Sequence, residues 1–293
     1  MKQLRKIWPS VIIWVIPVLL VYVVLQLAIP KAPPIFGEQG QNQTHQEKEL
    51  LNFVALGDSL TEGVGDTTAS GGYVPLLKQG ISEDTSVDVI HSDNYGKAGD
   101  RSDQILKRLK KSKELQKALK KADFITLTVG GNDLMKVIKS EFMNDISYET
   151  FDKPRDKFQA NLKELLLEIR KYNKTAPIYQ MGIYNPFYLN FQEMTEMQDI
   201  VDFWNQGAKE ITSEVKKVYF IPINDLLYKG LDGQIGIGSD TNETTGSSNM
   251  ATGPINNLIS EVDNFHPNNL GYQIMAKAFK EQMLATKAAW LEK

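Results

Sequence analysis

Short apolar runs alternate with longer amphipathic stretches from residue 50 to the end of the chain. Five of the runs are typical of buried strands: LLNFVALG, VDVIHS, FITLTVGG, PIYQMGIY and VYFIPI. Strands that alternate with helices in this way usually form a parallel sheet with helices on both faces. We therefore predict an α/β fold for residues 50–293, with the functional residues at the carboxyl ends of the strands.

The stretches between these runs have apolar residues at helical spacing. They predict one helix over Ser102–Lys121, a second around Phe158–Ile169 and a third over Thr195–Lys217. Pro267 and Asn268 are a suitable start for a further helix in the amphipathic tail.

The amino terminus has a different character from the rest of the chain. The basic segment MKQLRK precedes an apolar run from Ile7 to Ile29 that contains no charged residue. A run of this length can span a bilayer, so we expect residues 1–29 to be a transmembrane signal anchor. A cleaved signal peptide, and hence a secreted protein, is the alternative. Basic residues concentrate before the span, which predicts a single-pass protein of the cell membrane with its folded domain on the extracytoplasmic side.

Residues 30–49 are rich in Pro, Gly, Gln and Asn and have no periodicity. Such a composition is typical of a polar tether. We therefore predict three segments: the membrane anchor at 1–29, the tether at 30–49 and one folded domain at 50–293.

Composition excludes several classes of protein and site. The formal net charge of −3 argues against nucleic-acid binding. The chain has no cysteine, which excludes disulfides, thiolate zinc sites and a cysteine nucleophile. Only three histidines are present, so a histidine-rich metal site is not expected. We predict that the protein uses neither a metal nor an organic cofactor.

Three polar or flexible residues follow consecutive predicted strands. Ser59 comes directly after the first strand, Gly99 lies in NYGKAGD after the second, and Asn132 lies in GGND after the third. A serine nucleophile needs hydrogen-bond donors aimed at the oxyanion that it creates. A flexible backbone amide and a side-chain amide can both supply them. Asp58, beside the serine, is interpreted as structural.

A serine nucleophile also needs a general base. His45 lies in the tether, and His91 has no acid at a suggestive spacing. His266 follows Asp263 by three residues, where one helical turn would place both side chains on the same side of the chain. The aspartate could then hold the imidazole while the other ring nitrogen takes the serine proton.

The blocks GDSLTEG, NYGKAGD, GGND and DNFHP occur in this order and together resemble the SGNH/GDSL hydrolase superfamily. The chain is most similar to its membrane-anchored bacterial lysophospholipase-like and acylhydrolase-like members. The resemblance implies a flavodoxin-like three-layer fold with Ser59 as nucleophile, His266 as base and Asp263 as its orienting acid. It also implies an oxyanion hole made of the Ser59 and Gly99 amides and the Asn132 side chain.

The predicted function is therefore an ester hydrolase that acts through an acyl-enzyme, with a lipid or other acyl ester as substrate. An O-acetyl esterase acting on a carbohydrate or cell-wall glycan is the alternative, and a non-catalytic binding module on the same fold is a third. Four aromatic residues could line an acyl pocket or simply pack a loop: Tyr184, Phe187, Tyr188 and Phe191. The polar segment 230–253 could be a lid or a surface loop.

Overall fold

The computed structural model describes residues 47–141, 148–186, 188, 195–230 and 256–292, all within one compact unit. Its centre is a five-stranded parallel sheet with the strand order β2-β1-β3-β4-β5. The strands are β1 (Leu50–Gly57), β2 (Val89–Gly96), β3 (Phe124–Thr128), β4 (Ile178–Met181) and β5 (Val218–Ile221). The predicted α/β fold with a parallel sheet is confirmed.

Nine α-helices surround the sheet in the part of the chain that the structure describes. They are α1 (Ser59–Glu62), α2 (Tyr73–Asp84), α3 (Ser102–Lys111), α4 (Lys113–Lys121), α5 (Gly131–Glu141), α6 (Asp152–Tyr172), α7 (Thr195–Glu214), α8 (Asn224–Leu227) and α9 (Asn269–Ala285). Short 3₁₀ helices occupy Tyr148–Phe151 and Lys287–Ala289.

The core consists of two buried apolar clusters, one on each face of the sheet. Alternate residues of β1 divide between them, since Val54 and Leu56 belong to one cluster and Phe53 and Ala55 to the other. Side chains alternate across a strand, so this division places a layer of helices on each face. Helices α3 to α7 cover the first face, whereas α2, α8 and α9 cover the second.

The register of the central strands aligns their carboxyl ends. Gly57 at the end of β1 pairs with Gly96 on one side and with Thr128 on the other. The loops that follow these strands therefore leave from the same edge of the sheet. They carry the GDS, NYGKAGD and GGND blocks.

Two predicted elements differ from the observed ones. The single helix expected over Ser102–Lys121 is two helices, because the Ser112 side chain accepts a hydrogen bond from the Leu115 amide at 3.2 Å and starts a new helix. The sequence predicted the second strand at Val87–Ser92, but the strand runs from Val89 to Gly96. Pairing with β1 continues as far as Gly96 and keeps the residues after Ser92 in the strand.

The predicted membrane anchor and most of the tether lie outside the described residues. The last tether residues contact the domain, as Glu47 bridges Glu292 and the Lys48 ammonium donates to Asp123 at 2.7 Å. Within the described ranges, no helix has the length and apolarity needed to cross a membrane. The boundaries of the three segments therefore stay predictions.

Candidate active site

Ser59 is held at the sheet edge by a tight turn. It is the first residue of α1, and the preceding Asp58 caps this helix by accepting a hydrogen bond from the Leu60 amide at 3.1 Å. Gly63 ends the helix in the left-handed conformation after a single turn. The strand and the short helix thus present Ser59 at a fixed position, with only 6 % of its surface exposed.

A buried network of hydroxyl groups supports this turn from below. The Thr128 hydroxyl donates to the Asp58 carboxylate at 2.7 Å and lies 2.8 Å from the Thr61 hydroxyl. The Thr61 hydroxyl also bonds to the Tyr73 phenol, which reaches Thr126 on β3. Burial raises the pKa of Asp58, against the hydrogen bonds that stabilise its charge. These contacts agree with the structural interpretation of Asp58.

His266 connects Ser59 to Asp263 by hydrogen bonds. The imidazole Nε2 lies 2.9 Å from Ser59 Oγ, and Nδ1 lies 2.5 Å from Asp263 Oδ2. A carboxylate at Nδ1 fixes the proton on that nitrogen, so Nε2 is free to accept the serine proton. Both side chains are partly shielded, with exposed fractions of 16 % for His266 and 34 % for Asp263.

Asp263 remains a carboxylate in this environment. Partial burial raises its pKa, but hydrogen bonds from the His266 ring and from the amides of His266 and Phe265 outweigh this effect. The pKa of Asp263 is therefore lower than usual. Asp263 and His266 lie in a turn and not in the helical turn that their spacing predicted. The Asp263 carboxylate accepts hydrogen bonds from the Phe265 and His266 amides, and these bonds stabilise the turn.

Two hydrogen-bonded contacts and one close backbone approach position the loop that carries His266. Ile259 forms an antiparallel bridge with Pro267, and the Tyr184 hydroxyl donates to the Phe265 carbonyl at 2.6 Å. Gly65, in the loop after Ser59, has φ of +94°, and a Cβ there would lie 2.4 Å from the Pro267 carbonyl oxygen and 3.1 Å from His266 Cβ. This glycine lets the serine and histidine loops approach each other.

The two other predicted oxyanion donors lie on adjacent loops. Gly99 is exposed and has φ of +80°, and no hydrogen bond from its amide is found within the described residues. The Asn132 amide group donates to the carbonyl of Asp100 at 3.1 Å, so one of its two N–H bonds remains available. Within the described residues, no backbone amide is found to donate to the Asn132 side chain, as a helix cap would require. Ser59 and Asn132 line the same cavity, whereas Gly99 is not among the residues that line it.

Several residues that the sequence analysis did not single out connect these loops. Glu62 accepts a hydrogen bond from the Ala98 amide beside Gly99. Arg108 donates to the Gly57 and Tyr95 carbonyls and to the Asp100 carboxylate. The Glu62 bond and the bond from Arg108 to Gly57 join the exits of β1 and β2. Glu62 could have been singled out from the sequence, because it lies within the GDSLTEG block. Nothing in the sequence indicated Arg108.

Asp133 is the other missed residue, although it belongs to the GGND block. Its carboxylate accepts hydrogen bonds from the Ser102 hydroxyl at 2.5 Å and from the Ser102 amide at 2.9 Å, which attaches α5 to the start of α3. Burial raises the pKa of Asp133 to about 6, partly opposed by these hydrogen bonds.

The cavity beside Ser59 has a volume of about 40 Å³ and is mostly apolar. Tyr184 lines this cavity, and its role in an acyl pocket stays a prediction. Tyr188 instead packs edge-to-face on Tyr228, with ring centroids 4.8 Å apart. Phe187, Phe191 and most of the proposed lid at 230–253 lie outside the described residues.

The arrangement can perform nucleophilic chemistry on a carbonyl. The Ser59 hydroxyl and the Asn132 amide donor line one cavity, and the hydroxyl is hydrogen-bonded to an imidazole whose proton is fixed by a carboxylate. Within the described residues, no group of three or more His, Asp or Glu side chains is arranged to hold a metal ion.

Comparison with known proteins gives relatives that cover most of the chain. The chain is 34 % identical over 241 residues to "Uncharacterized protein YpmR" of Bacillus subtilis (strain 168), covering 82 % of this chain and 84 % of the relative. It is 23 % identical over 247 residues to "Acetylxylan esterase" of Geobacillus stearothermophilus, covering 80 % and 94 %.

A solved structure has the same fold. The lipase Lip_vut3 from a goat rumen metagenome superposes with a TM-score of 0.61 at 23 % identity, covering 83 % of this chain and 99 % of that one. The sequence model of the GDSL-like lipase/acylhydrolase family matches residues 55–274, which include Ser59, Asn132 and His266. The chain therefore belongs to the GDSL-like lipase/acylhydrolase family.

Proposed function

We propose that the protein is a serine ester hydrolase in which Ser59 is the nucleophile, His266 the general base and Asp263 the residue that orients the base. The observation that carries this proposal is the hydrogen-bond chain from Ser59 Oγ through His266 to Asp263, with distances of 2.9 and 2.5 Å. Membership of a family of lipases and acylhydrolases supports an ester as the substrate.

The reaction has two steps. Ser59 Oγ attacks the ester carbonyl carbon while His266 Nε2 takes its proton, and the imidazolium then gives this proton to the departing alcohol oxygen. The C–O bond to the alcohol breaks as the acyl-enzyme forms. Water then attacks the acyl-enzyme with His266 again as base, which releases the acid and restores the Ser59 hydroxyl.

In both steps a negative charge develops on the carbonyl oxygen, and hydrogen-bond donors are needed to stabilise it. We assign this role to the backbone amides of Ser59 and Gly99 and to the Asn132 side chain. The bond from Asn132 to the Asp100 carbonyl supports this assignment, because it orients the amide group before the substrate binds and leaves one N–H for the oxyanion.

Two classes of ester fit this chemistry. A lipid or other acyl ester is our first proposal, since apolar residues dominate the cavity beside Ser59. An O-acetyl group on a carbohydrate or cell-wall glycan is the second, and a relative named acetylxylan esterase supports it. The third possibility, a binding module without catalytic activity, does not require a serine that is hydrogen-bonded to an oriented imidazole.

We further propose that residues 1–29 anchor the protein in the cell membrane, with residues 30–49 as tether and the hydrolase domain on the extracytoplasmic side. Secretion after cleavage is the alternative. The uncharged run from Ile7 to Ile29 and the basic residues before it support the anchored form.

The experiment that tests the enzymatic proposal compares the parent with Ser59→Ala on nitrophenyl esters of increasing chain length and on acetylated xylan. We expect turnover to be lost in Ser59→Ala while circular dichroism is unchanged. Ser82→Ala is the matched control, because Ser82 is exposed on α2. Full turnover in Ser59→Ala would contradict the proposal.

A further inference from the structure

A polar cleft separate from the cavity beside Ser59 lies between the start of α3, one face of α5 and the first half of α6. It has a volume of about 370 Å³, within the range of roughly 300–1,000 Å³ that is typical of small-molecule sites. Among the residues that the structure describes, it shares no lining residue with the Ser59 cavity or with the smaller apolar cavity between α5 and α7. The proposed ester hydrolysis does not account for this cleft.

Three exposed lysines line the cleft: Lys136 on α5, and Lys153 and Lys157 on α6. Within the described residues, no ion pair of these lysines is found. Lys153 and Lys157 are four residues apart on one helix, where two like charges lie on the same face and repel each other. An anion bound between the two helices would relieve this repulsion.

The remaining charged residues of the cleft are mostly engaged with other groups. The Arg101 guanidinium donates from Nε and Nη2 to the Asp103 carboxylate, at 3.0 and 3.1 Å, which leaves three of its five N–H groups available. The Asp133 carboxylate accepts two hydrogen bonds from Ser102. Glu141 is the third acid that lines the cleft. Four basic residues thus face three acidic ones, and the charges that lack an ion pair are those of the lysines.

The uncharged part of the lining adds a hydrogen-bond donor and an apolar wall. Asn161 lies four residues after Lys157 on α6, and no hydrogen bond of its side chain is found within the described ranges. Val137 and Pro154 are partly exposed and supply apolar surface. The cleft also includes the first turn of α6, where the helix dipole favours a negative charge. The lining therefore suits an anion that is attached to a carbon skeleton.

The number of donors favours phosphate over a carboxylate. Three ammonium groups, the remaining N–H groups of Arg101 and the Asn161 amide converge on one cleft. A carboxylate offers two acceptor oxygens and one charge, whereas a phosphate monoester offers three strong acceptor oxygens and a charge of nearly two. Lysine and arginine are the side chains that commonly bind phosphate in proteins.

We infer that the cleft between α3, α5 and α6 binds the phosphate group of a small organic phosphate ester, which is either a soluble molecule or the head group of a lipid. The site is distinct from Ser59, so binding there does not depend on the proposed ester hydrolysis.

Titration calorimetry on the full chain in an uncharged detergent tests this inference. The chain carries Ser59→Ala so that no ester is cleaved during the titration. Glycerol 3-phosphate and dihexanoyl phosphatidylglycerol are the two ligands, with glycerol and dihexanoylglycerol as their uncharged counterparts. We expect saturable binding of one phosphate ligand per chain with a Kd of about 1 mM or tighter, and no binding of the uncharged counterparts. Binding of glycerol 3-phosphate would identify a soluble ester, and binding of phosphatidylglycerol alone would identify a lipid head group.

Variants locate the binding in the cleft. The pair Lys153→Gln and Lys157→Gln should weaken it by about tenfold or more, because two charge-assisted hydrogen bonds are lost. Asn161→Asp should weaken it at least as much, since it adds a negative charge beside Lys157. The pair Lys117→Gln and Lys121→Gln is the matched control, because these lysines are also exposed and four residues apart, on α4.

The control pair should keep the parent Kd within about twofold, because a Debye length of about 8 Å at physiological salt screens charges outside the cleft. Equal weakening in both lysine pairs would mean general attraction of anions to a basic surface and would refute the site. Absence of saturable binding by both phosphate ligands, or equally tight binding of their uncharged counterparts, would refute it as well.

Discussion

At the scale of single residues, the geometry assigns different tasks to neighbouring polar groups. Asp58 and Ser59 are adjacent, yet the carboxylate faces the buried Thr128 hydroxyl while the serine hydroxyl faces His266. Asn132 and Asp133 differ in the same way, since the amide bonds to Asp100 and the carboxylate holds Ser102. In both pairs the sequence singled out the residue to which we assign a role in catalysis. The partners of the buried acids depend on long-range packing, which a motif does not encode.

Asn132→Ala should reduce kcat on the order of a hundredfold to a thousandfold, because the amide bond is worth most when the carbonyl oxygen carries negative charge. KM should change much less. Steady-state kinetics and thermal melting on the same preparation measure this. A variant with normal kcat and a lowered melting temperature would mean that Asn132 serves only to hold the Asp100 loop.

At the scale of elements, the site depends on how closely three loops approach one another. The strand pattern predicted that the loops share a sheet edge, since parallel strands end together. It did not predict their mutual contacts, such as Glu62 with Ala98 or Tyr184 with Phe265, because these join residues far apart in sequence. The sequence pattern did not predict the break between α3 and α4 at Ser112. The lysine-rich pattern continues across it at nearly helical spacing, and only the serine signals a new start.

Gly65→Ala should move the histidine loop away from Ser59. Its Cβ would lie 2.4 Å from the Pro267 carbonyl oxygen, so the backbone next to His266 has to shift. A shift of this kind at a general base can reduce kcat/KM about a hundredfold. Gly71→Ala is the matched control, because Gly71 also has positive φ but a Cβ there would lie 3.8 Å from its nearest neighbour. Equal losses of activity in the two variants would mean that backbone strain alone is responsible.

Asp133 should make the stability of the fold pH-dependent. Its pKa is about 6 in the folded protein against an ordinary value of 3.8, so between these pH values the folded state binds more protons than the unfolded chain. The free energy of unfolding should therefore fall as the pH rises from about 4 to 6, by up to roughly 3 kcal/mol from this group.

Urea unfolding of the parent and of Asp133→Asn at several pH values measures this contribution. The asparagine can still bond to Ser102 but does not titrate, so the variant should lose this part of the pH dependence. Asp156→Asn is the control, since Asp156 is an exposed carboxylate on α6. The prediction is wrong if Asp133→Asn and the parent have the same slope over this range.

At the scale of the whole molecule, the alternation of strands and helices was enough to predict the parallel sheet, because buried strands and amphipathic helices have distinct periodicities. Ser59, His266 and Asp263 were also predicted, and the structure brings them within hydrogen-bonding distance. The apolar cavity between α5 and α7 could not be predicted from sequence, since its walls consist of ordinary core residues such as Ile138 and Val201.

The proposed anchor makes a separate prediction for the full chain in a bacterial cell. The protein should remain with the membrane fraction after washing with high salt and be released by detergent, because an uncharged span is held by hydrophobic burial and not by charge. Protease added to intact protoplasts should digest the hydrolase domain while a cytoplasmic marker survives. Protection of the domain until the cells are lysed would contradict the proposed orientation, and a shortened protein in the medium would support secretion.

The most direct test of the central claim is the site and rate of acylation. A fluorophosphonate should add one covalent group per chain, and peptide mapping by mass spectrometry should locate it on Ser59. Its rate should fall by several orders of magnitude in His266→Ala, because the serine hydroxyl then has no base. Modification of another residue, or an unchanged rate in His266→Ala, would contradict the account of Ser59 as a nucleophile activated by His266.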